Sequence, residues 1–430
     1  MKSQAQTIII IGAGAAGLMA AKRLSKRYKI IILEASDRIG GRIYTTEMRG
    51  FTKPVEAGAE FIHGKLPLTF KLLKKADIPY EELDGNIYRV RNGEWQQQYE
   101  MIEGWDQLLK KMNKEKHDMT FGEFLQEHYK EEKHAAFRKH VQAYAEGFDA
   151  ADISKASMKA LYEEWSDEDE KIYRIPAGHS QLIDYMANEC TKRGCEIITN
   201  SLIKQIDWQK NDVTVYTDDN RKYTAEKCIV TVPVSLLQKA TGKATINFTP
   251  PLDEYVKAAN NIGYGTVVKV VFEFNHTFWN HYTKDPEFIL SDEIFPAWWT
   301  QFPETVPLLT GWKGGPGAAI MSSKPDEEIL QIALDSLAGI FKISKQALQE
   351  KIITSKVFNW LSAEYAEGAY SYAFPSSNKA RKLLNTPVDN TIYFAGEALY
   401  AGRSGGTVEA ALISGKEAAD KVKNDKLVRL

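Results

Sequence analysis

Short apolar runs rich in β-branched residues punctuate an otherwise polar chain: Thr7 to Ile11, Lys29 to Leu33 and Thr391 to Phe394. Runs of this length without alternation fit strands of a parallel sheet buried on both faces. The stretch LMAAKRLSKR after the first run carries a helical pattern, so the chain opens as strand, turn, helix, strand. Residues 201–234 alternate and read as a strand, a hairpin and a further strand. Residues 106–165 are charged and mostly helical in period, with AEGFDAADISKAS predicted as a loop or short-helix connection. Near the end, SGGTVEAALISGKEAADKV predicts a helix whose Val408, Ala411, Leu412 and Ala418 form one packed stripe.

Composition narrows the class. At 430 residues the chain predicts two domains, or one with a large insertion. A formal charge of -2 argues against nucleic acid or an anionic membrane as the main partner. The uncharged run Thr7 to Ala21 falls short of the roughly 20 residues a membrane span needs, and glycines break it. Cys190, Cys195 and Cys228 have no metal-ligand spacing, so neither a metal site nor a disulfide framework is expected. With no export signal legible at the start, the expected location is the cytoplasm.

Between the first strand and its helix stands GAGAAG, with Gly12, Gly14 and Gly17 in the dinucleotide-binding spacing and Ala15 and Ala16 opening the helix. The glycines allow a tight turn, close approach of backbone amides to a pyrophosphate, and close helix–strand packing. The helix N-terminus offers partial positive charge to phosphate. Glu34, next to Ala35 and about 20 residues on, ends the second strand where an acid meets a ribose hydroxyl. Gly40, Gly41 and Arg42 follow, a turn suited to close backbone approach with a guanidinium able to fork onto phosphate oxygens.

Taken together, these motifs resemble the FAD-binding signature of the flavin-containing amine oxidase family, in a short, bacterial-type form, and the resemblance runs through nearly the whole chain. It implies an α/β protein: a Rossmann-like FAD-binding domain of the glutathione-reductase type over 1–75, 175–254 and 385–430. The second, α+β substrate domain, of mixed sheet and helices, would cover 76–174 and 255–384. In EAGAEFIHG, the resemblance brings Gly58, Ala59, Glu60 and Phe61 beneath the flavin. His63 in its -IHG- is most similar to polyamine oxidases, where that histidine lies near substrate; a buried structural histidine is the competing reading. Ile203, Pro233 and Trp360 are likewise assigned to the cofactor's surroundings, as are Gly396, Glu397, Gly406 and Val408. Thr407 opens a helix expected to point at the pyrimidine end of the isoalloxazine.

Chemistry rests on fewer residues. Lys269 stands amid β-branched residues in GTVVKVVFEF, where a cation is costly unless it is used. The resemblance makes it the lysine that holds a water against flavin N5. Tyr370 in EGAYSYAFP resembles one wall of an aromatic cage that guides an amine. The opposite wall falls on Thr407, so a full aromatic sandwich is not expected. Ala369 replaces the cysteine that monoamine oxidases link to flavin, which implies non-covalent FAD. Trp298 and Trp312, in a glycine- and proline-punctuated run, are candidates to contact substrate or to fill core. The histidines from His117 to His140 lack any paired spacing and read as surface residues.

The implied reaction takes hydride from the carbon beside a neutral amine, followed by imine hydrolysis, with O2 as acceptor and hydrogen peroxide as product. Three alternatives stand beside it. An L-amino acid oxidase would need an arginine for the carboxylate, for which Arg174 and Arg403 are available. A flavin-dependent desaturase shares the N-terminal signature, and a non-catalytic flavoprotein shares the cofactor. GRSGG formally matches a nucleophile elbow, but no histidine follows His281 to complete a triad. Demethylase-type partner binding is not expected, since no long helical insertion interrupts 255–384.

Overall fold

The structure is a computed structural model that describes residues 6–98, 102, 104–166 and 171–425. A parallel sheet runs Glu196–Ile198, Lys29–Leu33, Thr7–Ile11, Lys227–Val230, Ile392–Phe394, each strand paired parallel to the next. Side chains alternate along a strand, so Ile8 and Ile10 face one way, into a core shared with Leu18, Leu182, Met186 and Leu412. Those partners come from the helices Ala15–Leu24, Ser180–Thr191 and Val408–Asn424. Ile9 and Ile11 face the other way, against Ile203, Val213 and Val215. That second layer is a four-stranded sheet, Lys222–Ala225, Asp212–Thr217, Ile203–Gln209 and Asn247–Thr249. Only the last strand of the 201–234 run, Lys227–Val230, enters the parallel sheet.

Glycine sets how closely these layers approach. A Cβ on Gly17 would stand 2.0 Å from the Gly12 carbonyl oxygen, so only a bare Cα lets the first helix lie on its strand. Gly415 brings the C-terminal helix close against the first helix: a Cβ there would stand 2.1 Å from the Ala16 carbonyl oxygen. In the stripe expected on that helix, Leu412 and Ala418 are buried while Val408 and Ala411 are partly buried against the same core.

A second sheet has the order Ile352–Asn359, Val267–Phe274, Leu308–Gly314, Ala297–Trp299, Pro286–Ser291, Asn86–Arg91, Glu94–Gln98. It is mixed: Pro286–Ser291 lies parallel to Asn86–Arg91, and the other neighbours are antiparallel. Val268, Val270, Phe272 and Trp298 face a core completed by Ile329, Ala333 and Leu337 of the helix Asp326–Phe341. The opposite face carries Val267, Lys269, Val271 and Glu273, and every residue of this strand is buried.

Four helices, Trp105–Lys114, Phe121–His128, Ala135–Phe148 and Met158–Trp165, form a lobe around Phe121, Phe124, Val141 and Trp165. The start of AEGFDAADISKAS completes the third helix, and its remainder connects to Ser157, whose hydroxyl caps the fourth.

Gly415→Ala is expected to destabilise the fold by about 2 kcal/mol or more, because backbone rather than a flexible side chain must yield. Thermal unfolding checks this; an unchanged midpoint contradicts the close-packing account.

Candidate active site

One cavity of about 1710 Å³ is walled by the parallel sheet, the polar face of the second sheet and the helical lobe. That exceeds the roughly 300–1,000 Å³ of a single small-ligand pocket, which leaves room for a dinucleotide and a second molecule.

Its nucleotide-like half is built from backbone. Gly12, Gly40 and Gly41 have φ of +103°, +101° and +60°, a region side chains disfavour. A Cβ on Gly14 would meet nothing nearer than the Gly40 carbonyl oxygen at 3.9 Å and would project into the cradle. The helix beginning at Ala15 has no side-chain cap, so its first N–H groups are available to an anion. Glu34 is buried; its Oε2 accepts from the Ala13 N–H at 2.7 Å and its Oε1 from the Ser36 N–H at 2.9 Å. Burial pushes its carboxyl up, opposed by those N–H bonds. Each oxygen keeps a lone pair for a hydroxyl. These features fit the adenosine diphosphate portion of FAD.

The wall includes nearly all the residues expected there: Ala15, Ala16, Ala35, Gly58, Ala59, Glu60, Phe61, Ile203, Pro233, Trp360, Gly396, Gly406 and Val408 stand on it. At five expected positions the structure departs from the expectation or adds partners to it. Gly17 is not on the wall, because its bare Cα is used against Gly12. Arg42 lines the cavity but spends Nη1 on Glu397 Oε1 at 2.8 Å and on the Ala369 carbonyl at 2.8 Å. Glu397, expected along the cofactor chain, is thus the counter-ion of Arg42 and also accepts from the Ser371 hydroxyl at 2.6 Å. Thr407 is the N-cap of the last helix: its hydroxyl accepts from the Ala410 N–H at 3.2 Å and donates to the Ser404 carbonyl at 2.7 Å. A hydroxyl committed at both ends is scaffold before it is chemistry. Trp298 is fully buried in the core of the second sheet and absent from the wall; its strand neighbour Trp299 points the other way and lines the cavity.

The other half is aromatic. The Tyr370 hydroxyl donates to the Phe148 carbonyl at 2.6 Å, and the Trp312 indole donates to the Gly147 carbonyl at 2.7 Å. These bonds fix both rings against the end of one lobe helix. His63 meets Phe148 edge-on at 5.2 Å, and burial lowers its pKa to about 4. Gly406 and Thr407, which also line the cavity, supply no ring, and a Cβ on Gly406 would stand 3.0 Å from the Tyr370 ring.

Lys269, 1% exposed, reaches the cavity wall from the second sheet. Its ammonium donates to Glu60 Oε2 at 2.7 Å and to the Glu56 carbonyl. Glu60 Oε1 also accepts from the Trp299 indole at 2.9 Å and from Arg174 at 3.3 Å. Glu60 itself lines the cavity wall, and its partners were not legible in the sequence. Arg174 also donates to the Thr300 and Phe302 carbonyls and does not line the cavity, which removes it as a receptor for a substrate carboxylate. Arg403 lies exposed on the cavity wall.

Two acids escaped the sequence reading altogether. Asp149 is 6% exposed, with the Trp165 indole on Oδ2 at 3.0 Å and no partner on Oδ1. It shares a side chamber of about 30 Å³ with Glu164, Tyr370, Gly405 and Gly406, and the last four also line the main cavity. Burial pushes Asp149 up to about 8; burial, then the charge of Asp149, pushes Glu164 up as well. No patch in the sequence marks this pair. Among the described residues no cluster of histidine, cysteine and acids could hold a metal ion.

Parallel sheet, uncapped helix start, ribose-type acid and an aromatic chamber together define a dinucleotide-dependent oxidoreductase architecture. The model of the flavin-containing amine oxidoreductases matches residues 15–423, and the chain belongs to that family, whose cofactor is FAD. It is 26% identical over 453 residues to lysine-specific histone demethylase 2 of Homo sapiens, covering 97% of this chain and 53% of that protein. The chain thus spans about half the length of that demethylase and of lysine-specific histone demethylase 1B of Mus musculus. Polyamine oxidase 4 of Oryza sativa subsp. japonica is 25% identical over 469 residues, with 96% of this chain and 88% of that protein covered. Among solved structures, putrescine oxidase bound to putrescine shares the fold with a TM-score of 0.81 at 20% identity, covering 97% of this chain and 99% of that one. Cyclohexylamine oxidase from Brevibacterium oxydans IH-35A gives 0.79 at 19%, covering 97% and 99%.

The raised carboxyl of Asp149 has a consequence for stability. Unfolded, it ionises near its ordinary 3.8; folded, near 8. The folded state binds the extra proton between those values, so its contribution is full below the lower value and is lost as pH rises through the upper one. Asp149→Asn is therefore expected to gain thermal stability relative to wild type as pH climbs from about 4 to about 8. A difference in unfolding midpoint that stays flat across that range contradicts the assignment.

Proposed function

We propose that this cavity oxidises a di- or polyamine at the carbon beside one nitrogen, using non-covalently bound FAD. The supporting observation is the juxtaposition of a glycine-and-amide nucleotide cradle with an aromatic chamber that one buried lysine enters. Bound FAD would supply a two-electron acceptor for the α-hydride. The overall conversion takes amine, O2 and water to a carbonyl compound, a shorter amine or ammonia, and hydrogen peroxide.

The chain's own residues do the rest. Hydride loss needs the neutral amine, and an enclosure of Tyr370, Trp299, Trp312 and Phe148 disfavours the charged form by excluding water. His63 stays uncharged near neutral pH and so does not repel a cationic substrate. Lys269 offers an N–H to the chamber. Ala369, which cannot form a thioether, supports non-covalent FAD.

The polyamine and putrescine oxidases among the relatives suggest a substrate with a second ammonium. Asp149 and Glu164 are suited to hold it, since an arriving cation offsets the burial that raises both carboxyls and disfavours their charge. The amino acid oxidase reading loses Arg174 and would rest on Arg403. The division into 1–75, 175–254 and 385–430 against 76–174 and 255–384 is proposed on the same footing. No described helix is long and apolar enough to cross a membrane. Three free, buried thiols support a reducing cytoplasm.

Peroxide release measured across α,ω-diamines, polyamines, arylalkyl amines and L-amino acids tests the reading. Diamines or polyamines are expected to give the highest kcat/KM. Glu164→Gln should raise their KM about 10- to 100-fold while alkyl monoamines change little, the size of a lost charged hydrogen bond. Preference for L-amino acids would move the assignment to amino acid oxidation.

A further inference from the structure

The third N–H of Lys269 is aimed by its neighbours. An ammonium has three donors, and two are taken at fixed points: Glu60 Oε2 at 2.7 Å and the Glu56 carbonyl at 2.5 Å. Glu60 is itself immobilised by the Trp299 indole at 2.9 Å and Arg174 at 3.3 Å. Arg174 is braced in turn by the Thr300 and Phe302 carbonyls, each at 3.1 Å, with its guanidinium 5.1 Å from the Phe61 ring centroid. Burial opposes ionisation of Glu60, yet Lys269 and Arg174 together hold its carboxyl below the usual range.

Among the described residues, Glu60 and the Glu56 carbonyl are the hydrogen-bond acceptors recorded for the ammonium. The Glu56 carboxylate is engaged by the His179 backbone N–H at 2.6 Å and the Thr45 hydroxyl at 2.9 Å, and burial pushes it up to about 7. His179 and His63 both stand at about 4, each lowered chiefly by burial, so neither adds a cation near neutral pH.

We propose that Glu60 is a positioning residue: clamped by Arg174 and Trp299, it holds the Lys269 ammonium so that a single N–H is presented to the reaction chamber. The inference rests on the amine-oxidising reading of that chamber and goes beyond it by assigning the orientation of Lys269 to a carboxylate from a different segment. A lysine held by one bond samples several rotamers; held by two, it has one direction left.

The test uses FAD-loaded Glu60→Gln, Glu60→Asp, Lys269→Met and the Glu60→Gln/Lys269→Met double variant, with turnover and thermal unfolding measured on each. Glu60→Gln is expected to lower kcat about 10-fold or more with KM within about twofold, a loss in the reacting state rather than in binding. Glu60→Asp, which keeps the charge, should recover part of it. In unfolding, Glu60→Gln should cost more with Lys269 present than with methionine there, the non-additivity expected of groups in contact. Should Glu60→Gln not fold, Glu60→Gln/Arg174→Met removes one of the two cations left unbalanced and carries the same measurement. A kcat unchanged beside a lowered unfolding midpoint reduces Glu60 to scaffold and overturns the proposal, as does strict additivity in the cycle. A wild-type enzyme inactive on every amine defeats the proposed function instead, while the unfolding cycle still decides whether Glu60 holds Lys269.

Discussion

A carboxylate shut away from water, Glu60, ties the two halves of this protein together. It belongs to the segment leading from Val55–Glu56 into Phe61–His63, and it is met by Lys269 from one strand of the second sheet, Trp299 from another, and Arg174 from Ile172–Arg174. Removing three charges from water costs several kcal/mol each, so such a cluster is weak evidence for stability. What it does supply is geometry. A pair of apolar residues could slide; a carboxylate with three donors around it has one arrangement, and the cavity wall inherits that arrangement.

Close backbone approach supplies the other half of the site. Gly17 against Gly12 lets the first helix lie on its strand, Gly415 against Ala16 lets the last helix lie on the first, and both helices begin at the cavity. Their N-termini are treated differently. The helix at Ala15 is left without a side-chain cap, ready for an anion, whereas Thr407 caps the helix at Val408. Glu409 in that second helix's first turn is also spent, accepting from the Leu68 and Thr69 N–H groups and the Thr69 hydroxyl. A diphosphate therefore has its natural seat at the first helix.

The fold was legible because its signals are local and periodic. Runs of isoleucine marked strands buried on two faces, and Glu34 at the end of one of them marked a candidate ribose position. Lys269 could be singled out because a cation in a β-branched strand demands a reason. Partners at long sequence separation could not be read. Arg42 and Glu397 lie 355 positions apart, so nothing in either motif showed that they neutralise one another. Trp298 and Trp299 are adjacent, and strand alternation alone predicts that they face opposite ways, but not which one faces the core. Asp149 and Glu164 sit among many surface acids in a charged, helical stretch; their burial comes from the lobe closing over them, which no local pattern records.

The most direct measurement is anaerobic mixing of the purified yellow protein with a diamine while its flavin absorbance is followed. Rapid bleaching, complete without oxygen and reversed when oxygen is admitted, is the predicted result. A protein that carries FAD but is bleached by no diamine, polyamine or monoamine would contradict the account at its centre.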